Sequence, residues 1–87
     1  MPAYVYILRC KDGSLYTGWT DNLQHRLKMH QMGKGAKYTK GRGPLELVYS
    51  ELLPDKSAAL KREYAIKRLR KTDKLKLCES FQQSKSF

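Results

Sequence analysis

Tyr4-Val5-Tyr6 and Tyr16-Thr17-Gly18 lie on either side of Lys11-Asp12-Gly13. The length of that polar link fixes which side chains can share a face. A two-residue turn at Asp12-Gly13 pairs Cys10 with Leu15 and puts Tyr6 and Tyr16 on opposite faces. A three-residue loop with Gly13 left-handed forms a bulge and pairs Cys10 with Ser14 instead. Leu8 then faces Tyr16, and Tyr6 faces Gly18. Side chains alternate along a strand, so Tyr4, Tyr6, Leu8, Tyr16 and Gly18 fall on one face. Gly18 has no side chain and leaves room in front of Tyr6. The three-residue loop is the expected register. Both faces of this hairpin are largely apolar, which calls for cover on both sides.

The rest of the chain supplies that cover. Thr20-Asp21-Asn22 offers a side-chain cap for a helix over 21–32 that ends at Gly33. Leu23, Leu27 and His30 recur at helical spacing and mark its buried stripe. Arg26 sits one turn from His30 on a flank of that stripe. Leu45 to Leu52 alternates well enough for a third strand, with Leu45, Leu47 and Tyr49 opposed to Glu46, Val48 and Ser50. Pro54 stops it, and Asp55 or Ser57 caps a second helix over about 56–69. A third helix follows from Thr72, with Leu75, Leu77 and Cys78 as its apolar positions. Residues 1–80 read as one domain; 81–87 have little to bury and are expected to fray.

Charge narrows the partners. The 87 residues carry 18 basic and 8 acidic side chains, a formal net charge of +10. An excess of that size is self-repulsive without an anionic partner, either nucleic acid or an anionic membrane surface. No stretch is apolar enough to cross a bilayer, and Met1-Pro2-Ala3-Tyr4 does not open like a signal peptide. Cys10 and Cys78 lack metal-ligand spacing and read as reduced thiols of a cytoplasmic protein, with Cys10 a small buried hydrophobe. The stretch 33–44 holds four glycines, four cations (Lys34, Lys37, Lys40 and Arg42) and Tyr38. Glycines let a backbone approach a ligand, cations meet phosphates and Tyr38 can stack on a base. A solvated basic loop fits that composition equally well.

Glu63, among Lys61, Arg62, Lys67 and Arg68, is the most informative acid. It is either a salt-bridge partner beside an apolar stripe or a metal ligand. With no acid close in sequence, a metal there would be held by one carboxylate, water and phosphate oxygens, as magnesium usually is in phosphate chemistry.

Taken in order, Tyr4-Val5-Tyr6, Tyr16-Thr17-Gly18, Arg26 with His30, Glu63, and Gly35-Ala36 through Gly41-Arg42-Gly43-Pro44 resemble the GIY-YIG nuclease family. The likeness is to its small stand-alone bacterial members and to the catalytic domain of the structure-specific endonuclease that processes branched DNA. It runs from Tyr4 to about Leu77. One piece is a weak signal, but five in order are a strong one. The resemblance implies an α+β fold, a three-stranded antiparallel sheet flanked by helices in the order ββαβαα. The strand and helix assignments above reach the same order.

The resemblance also implies metal-assisted hydrolysis of a phosphodiester in DNA. Glu63 would hold one Mg2+ or Mn2+ ion, and Tyr6 or Tyr16 would take a proton from the attacking water. A free tyrosine has a pKa near ~10, so cations such as Arg26 are expected to lower it. Arg26 would also hold the scissile phosphate, and His30 would bond a tyrosine or the water. Lys34, Lys37, Tyr38, Lys40, Arg42 and Lys67 are the candidate DNA contacts. Tyr4 stands where the family motif has glycine, and 74–79 lack the asparagine of many relatives, as the branched-DNA members do. The zinc module paired with those members is not present, so targeting falls to the basic loop, self-association or another protein.

Each residue has an ordinary structural reading: core tyrosines, a solvated arginine, a satisfied histidine, a paired glutamate. Jointly they favour a site. The classes open from sequence are a metal-dependent endonuclease, a weak or inactive nucleic-acid-binding module, and a basic protein with an acidic protein partner.

Overall fold

The computed structural model describes residues 2–33 and 43–85, with side chains as far as Phe81. The elements run β1 (Ala3–Arg9), β2 (Leu15–Thr20), α1 (Leu23–Gln31), β3 (Glu46–Leu53), α2 (Lys56–Lys67) and α3 (Lys71–Lys85). The sheet is antiparallel in the order β2-β1-β3, an α+β fold of ββαβαα connectivity with β1 in the centre.

The hairpin adopts the three-residue loop. Gly13 has φ +86°. Its N–H donates to Cys10 O at 2.9 Å, and Cys10 N–H donates to Ser14 O at 2.9 Å. Asp12 Oδ1 accepts from Ser14 N–H at 3.0 Å and stiffens the turn. Leu8 therefore faces Tyr16, and Tyr6 faces Gly18.

One face of the sheet carries Ala3, Val5, Ile7 and Val48, which pack with Ala59 and Ile66 of α2 and Cys78 of α3. The other carries Tyr6 and Leu8, also fully buried. Strict alternation fails in β3. Ile7 pairs with Tyr49, but Leu8 pairs with Leu47, so Val48 is the extra residue of a bulge. Val48 turns into the core on the side where Tyr49 also packs, instead of opposing it as simple alternation predicts.

Helix caps follow the sequence signals. Asn22 Oδ1 accepts from His25 N–H at 3.1 Å, and Asp55 Oδ1 from Ala58 N–H at 2.8 Å. Gly33, at φ +76°, closes α1 with its N–H on His30 O. Helix α3 runs to Lys85, and the Phe81 ring packs 6.0 Å from that of Tyr49. One expectation for α3 needs correction. Leu75 lies on the outer side, 42% exposed, while Leu77 and Cys78 face the core.

A side chain at position 13 would meet nothing within 4 Å, so replacing Gly13 tests the backbone alone. Gly13→Ala is expected to cost about 1 kcal/mol. Thermal unfolding should then show Tm lowered by roughly 4–8 °C. An unchanged Tm would mean the hairpin does not use this turn.

Candidate active site

Tyr6 is completely buried on the central strand, and its hydroxyl is where α1 meets the sheet. Tyr6 Oη lies 2.8 Å from His30 Nε2. Arg26 Nε–H, one helical turn away, donates to the same oxygen at a long 3.4 Å. Gly18 makes the arrangement possible. A Cβ there would sit 2.7 Å from Tyr6 Oη and 2.9 Å from Cζ, closer than real atoms approach. The Tyr16 ring completes a triangle, its centroid 6.3 Å from Tyr6 and 5.4 Å from His30, with Tyr6 and His30 5.7 Å apart. These spacings suit tilted and edge-to-face aromatic contacts. Tyr16 is half-buried, so it is the tyrosine of the pair that reaches the surface.

Burial decides the electrostatics. It is the largest influence on Tyr6 and holds the phenol above its ordinary pKa of 10.0; the Arg26 hydrogen bond pulls the other way but is outweighed. The expectation that a nearby cation lowers this tyrosine is therefore corrected. Burial also lowers His30 from its ordinary 6.5, and the Arg26 charge adds to the effect. The Tyr6 hydrogen bond raises Arg26 above its ordinary value, against the burial that opposes it. A neutral His30 can accept the Tyr6 proton at Nε2 while Tyr6 Oη accepts from Arg26, so the Tyr6 hydroxyl both donates and accepts.

Glu63 projects from α2 with its side chain 18% exposed, and its charge is felt at Tyr6. Lys67 Nζ lies 3.8 Å from Glu63 Oε2, one turn along the helix. A pair this long, with Lys67 half exposed, contributes on the order of 0.3–0.5 kcal/mol. Glu63 thus offers a partly exposed carboxylate whose ion pair with Lys67 is weak. Among the described residues no three His, Cys, Asp or Glu side chains cluster as a metal cage. The donor set fits a cation that keeps water and phosphate oxygens around it, such as magnesium, and does not fit a closed zinc site.

The structure thus brings Tyr6, Tyr16, Arg26 and His30 together, with Glu63 near enough to act on Tyr6. Lys34, Lys37, Tyr38, Lys40 and Arg42 lie outside the described residues. Sequence reasoning missed Lys74 of α3, which shares a cavity with Tyr16 and Lys67. A helix break separates Lys67 from Lys74, so spacing gives no hint of their proximity.

A model of the GIY-YIG catalytic domain matches residues 2–76. The chain belongs to the GIY-YIG family. It is 62% identical over 76 residues to a UPF0213 protein of Oceanobacillus iheyensis, covering 87% of this chain and 88% of that one. A UPF0213 protein of Clostridium perfringens is 60% identical over 77 residues, covering 88% and 83%. The solution structure of a UPF0213 protein from Bacillus halodurans superposes with a TM-score of 0.59 at 51% identity, covering 91% of this chain and 84% of that one. A solution structure from E. faecalis gives 0.64 at 35% identity, covering 95% and 88%. GIY-YIG is a nuclease family, which makes nucleic acid the class of substrate. No helix among the described residues is long and apolar enough to cross a membrane.

Two measurements probe the cluster. Gly18→Ala should push Tyr6 off His30 and cost about 1–3 kcal/mol, read by denaturant unfolding; wild-type stability would show that the tyrosine has room to spare. The His30 prediction follows from its lowered pKa. The unfolded chain binds the proton more readily, so the contribution is present above pH about 6.5 and is lost as pH falls through the lower folded value. Tm should therefore drop more steeply on acidification for the wild type than for His30→Gln. Parallel curves would contradict the assignment.

Proposed function

We propose that this protein is a divalent-metal-dependent endonuclease that hydrolyses phosphodiester bonds in DNA, with branched or damaged DNA as its substrate. The observation that carries the reading is the convergence of Arg26 and His30 on the Tyr6 hydroxyl, beside Tyr16 and within reach of the Glu63 charge. A pure binding surface needs cations; it has no use for a buried phenol, a neutral imidazole and an accessible carboxylate arranged together.

In this reading water attacks phosphorus in line, and the bond to the leaving oxygen breaks as the new one forms. Glu63 would hold the metal, which when bound neutralises charge on the phosphate and the leaving oxygen. The other roles fall to the chain's own side chains. Arg26 directs its Nε–H at Tyr6 and also hydrogen-bonds Tyr16, and its remaining N–H groups would meet the phosphate. Exposure favours Tyr16 as the phenol that touches the attacking water. Tyr6, with its hydroxyl hydrogen-bonded to neutral His30, orients Tyr16 and Arg26 and gives the proton a place to go. Protonating His30 closes that route, so the rate should fall on the acid side with a midpoint below 6.5.

The test is cleavage of labelled duplex, single-stranded, flap and four-way-junction DNA with Mg2+ or Mn2+. Glu63→Ala and Tyr6→Phe should each lower the rate by roughly 10²–10⁴. Cutting that survives both would belong to a contaminant. Tight, salt-sensitive binding without cutting would favour a binding module on the same basic surface, whose targeting depends on a partner or on self-association.

A further inference from the structure

Leu15, Tyr16 and Thr17 of β2 form one wall of a cavity of about 250 Å³ whose other wall is Lys67 of α2 and Lys74 of α3. Two lysines line one small cavity, and an anion seated between them would relieve their mutual repulsion. Among the described residues Lys67 has its long contact with Glu63 as its ion pair. Lys74 is half-buried and has no ion-pair partner among the described residues. Thr17, which lines the same cavity, has a buried hydroxyl oxygen with no hydrogen-bond partner among them. A buried polar atom of that kind normally has one. The space is several times that of a water molecule, which occupies ~30 Å³ in the liquid.

We propose that this cavity binds a backbone phosphate of the DNA adjacent to the scissile one, held by Lys67 and Lys74. The inference rests on the nuclease reading and deepens it by giving the strand a track. Tyr16 is the hinge of that track, with one edge of its ring toward His30 and the reacting centre and its strand neighbours toward the lysines. A phosphate seated here draws Lys67 away from Glu63 and leaves the carboxylate free for a cation. DNA binding and metal binding then favour each other, because each removes the same weak ion pair.

The experiment measures binding without cutting. Fluorescein-labelled single-stranded and duplex oligonucleotides are titrated in EDTA over a range of salt concentrations, with thermal melts to verify folding. Lys74→Ala should flatten the salt dependence by roughly 0.7–0.9 in slope, one phosphate contact. Lys74→Gln, which keeps most of the aliphatic stem, should do the same, and Lys76→Ala, on α3 away from the cavity, should not lose a specific contact. A methylphosphonate scan then locates the contact. A single neutral linkage beside the cleavage position should weaken wild-type binding severalfold and leave Lys74→Ala unaffected. A wild-type slope in folded Lys74→Ala, or equal sensitivity of both proteins to every linkage, overturns the subsite, while wild-type cleavage would leave the nuclease reading standing. A Lys74-dependent linkage effect in a protein that does not cleave would retain the subsite and defeat the nuclease reading.

Discussion

The hydrogen bond between Tyr6 Oη and His30 Nε2 ties the structure together. Helix α1 has half-buried leucines and one fully buried side chain, His30, so its docking depends on a polar contact more than on a broad apolar face. A buried hydroxyl left without a partner costs about 1–3 kcal/mol. The sheet encloses Tyr6 with α1 supplying that partner, and α1 buries His30 with Tyr6 answering it at Nε2. Gly18 leaves the volume in which they meet, and the loop at Gly13 sets the register that puts Gly18 there.

Local rules made much of this legible. Helix caps at Asn22 and Asp55, the left-handed Gly13 and the Tyr6–Gly18 pairing all follow from short-range chemistry. The departures come from longer range. The bulge at Val48 is imposed by fitting β3 against β1, and its own sequence alternates well enough to conceal it. The contact of Phe81 on α3 with Tyr49 on β3 likewise joins residues far apart in sequence. Residue types nominated Tyr6, Tyr16, Arg26, His30 and Glu63, but their protonation could not be read from them. Sequence shows a cation beside a phenol and suggests a lowered pKa, whereas burial, visible only in three dimensions, acts more strongly on Tyr6 in the opposite direction.

The acids of this basic chain are largely committed to local tasks. Glu46 pairs with Arg9, Glu51 with Arg62 at 2.8 Å, and Glu63 with Lys67. Asp12 holds a turn and Asp55 a helix end. Neutralisation is therefore patchy. Arg9 and Arg62 are tied to partners away from the tyrosine cluster, while the cations near Tyr16 keep most of their field for an external anion. A modest number of well-placed carboxylates thus shapes where a net charge of +10 is felt.

The pairing of β1 with β3, Arg9 opposite Glu46, closes a long stretch of chain that includes residues 34–42. That stretch begins after the Gly33 cap and ends before Leu45 leads into β3, two anchors set by the fold on either side. The entropy of closing a flexible loop grows only with the logarithm of its length, about 0.6 kcal/mol for each doubling. By that measure, a change in chain length between Gly33 and Leu45 alters the closure cost of the β1–β3 pairing very little. Two fixed ends, and not a fixed number of residues between them, are what the sheet requires of that span.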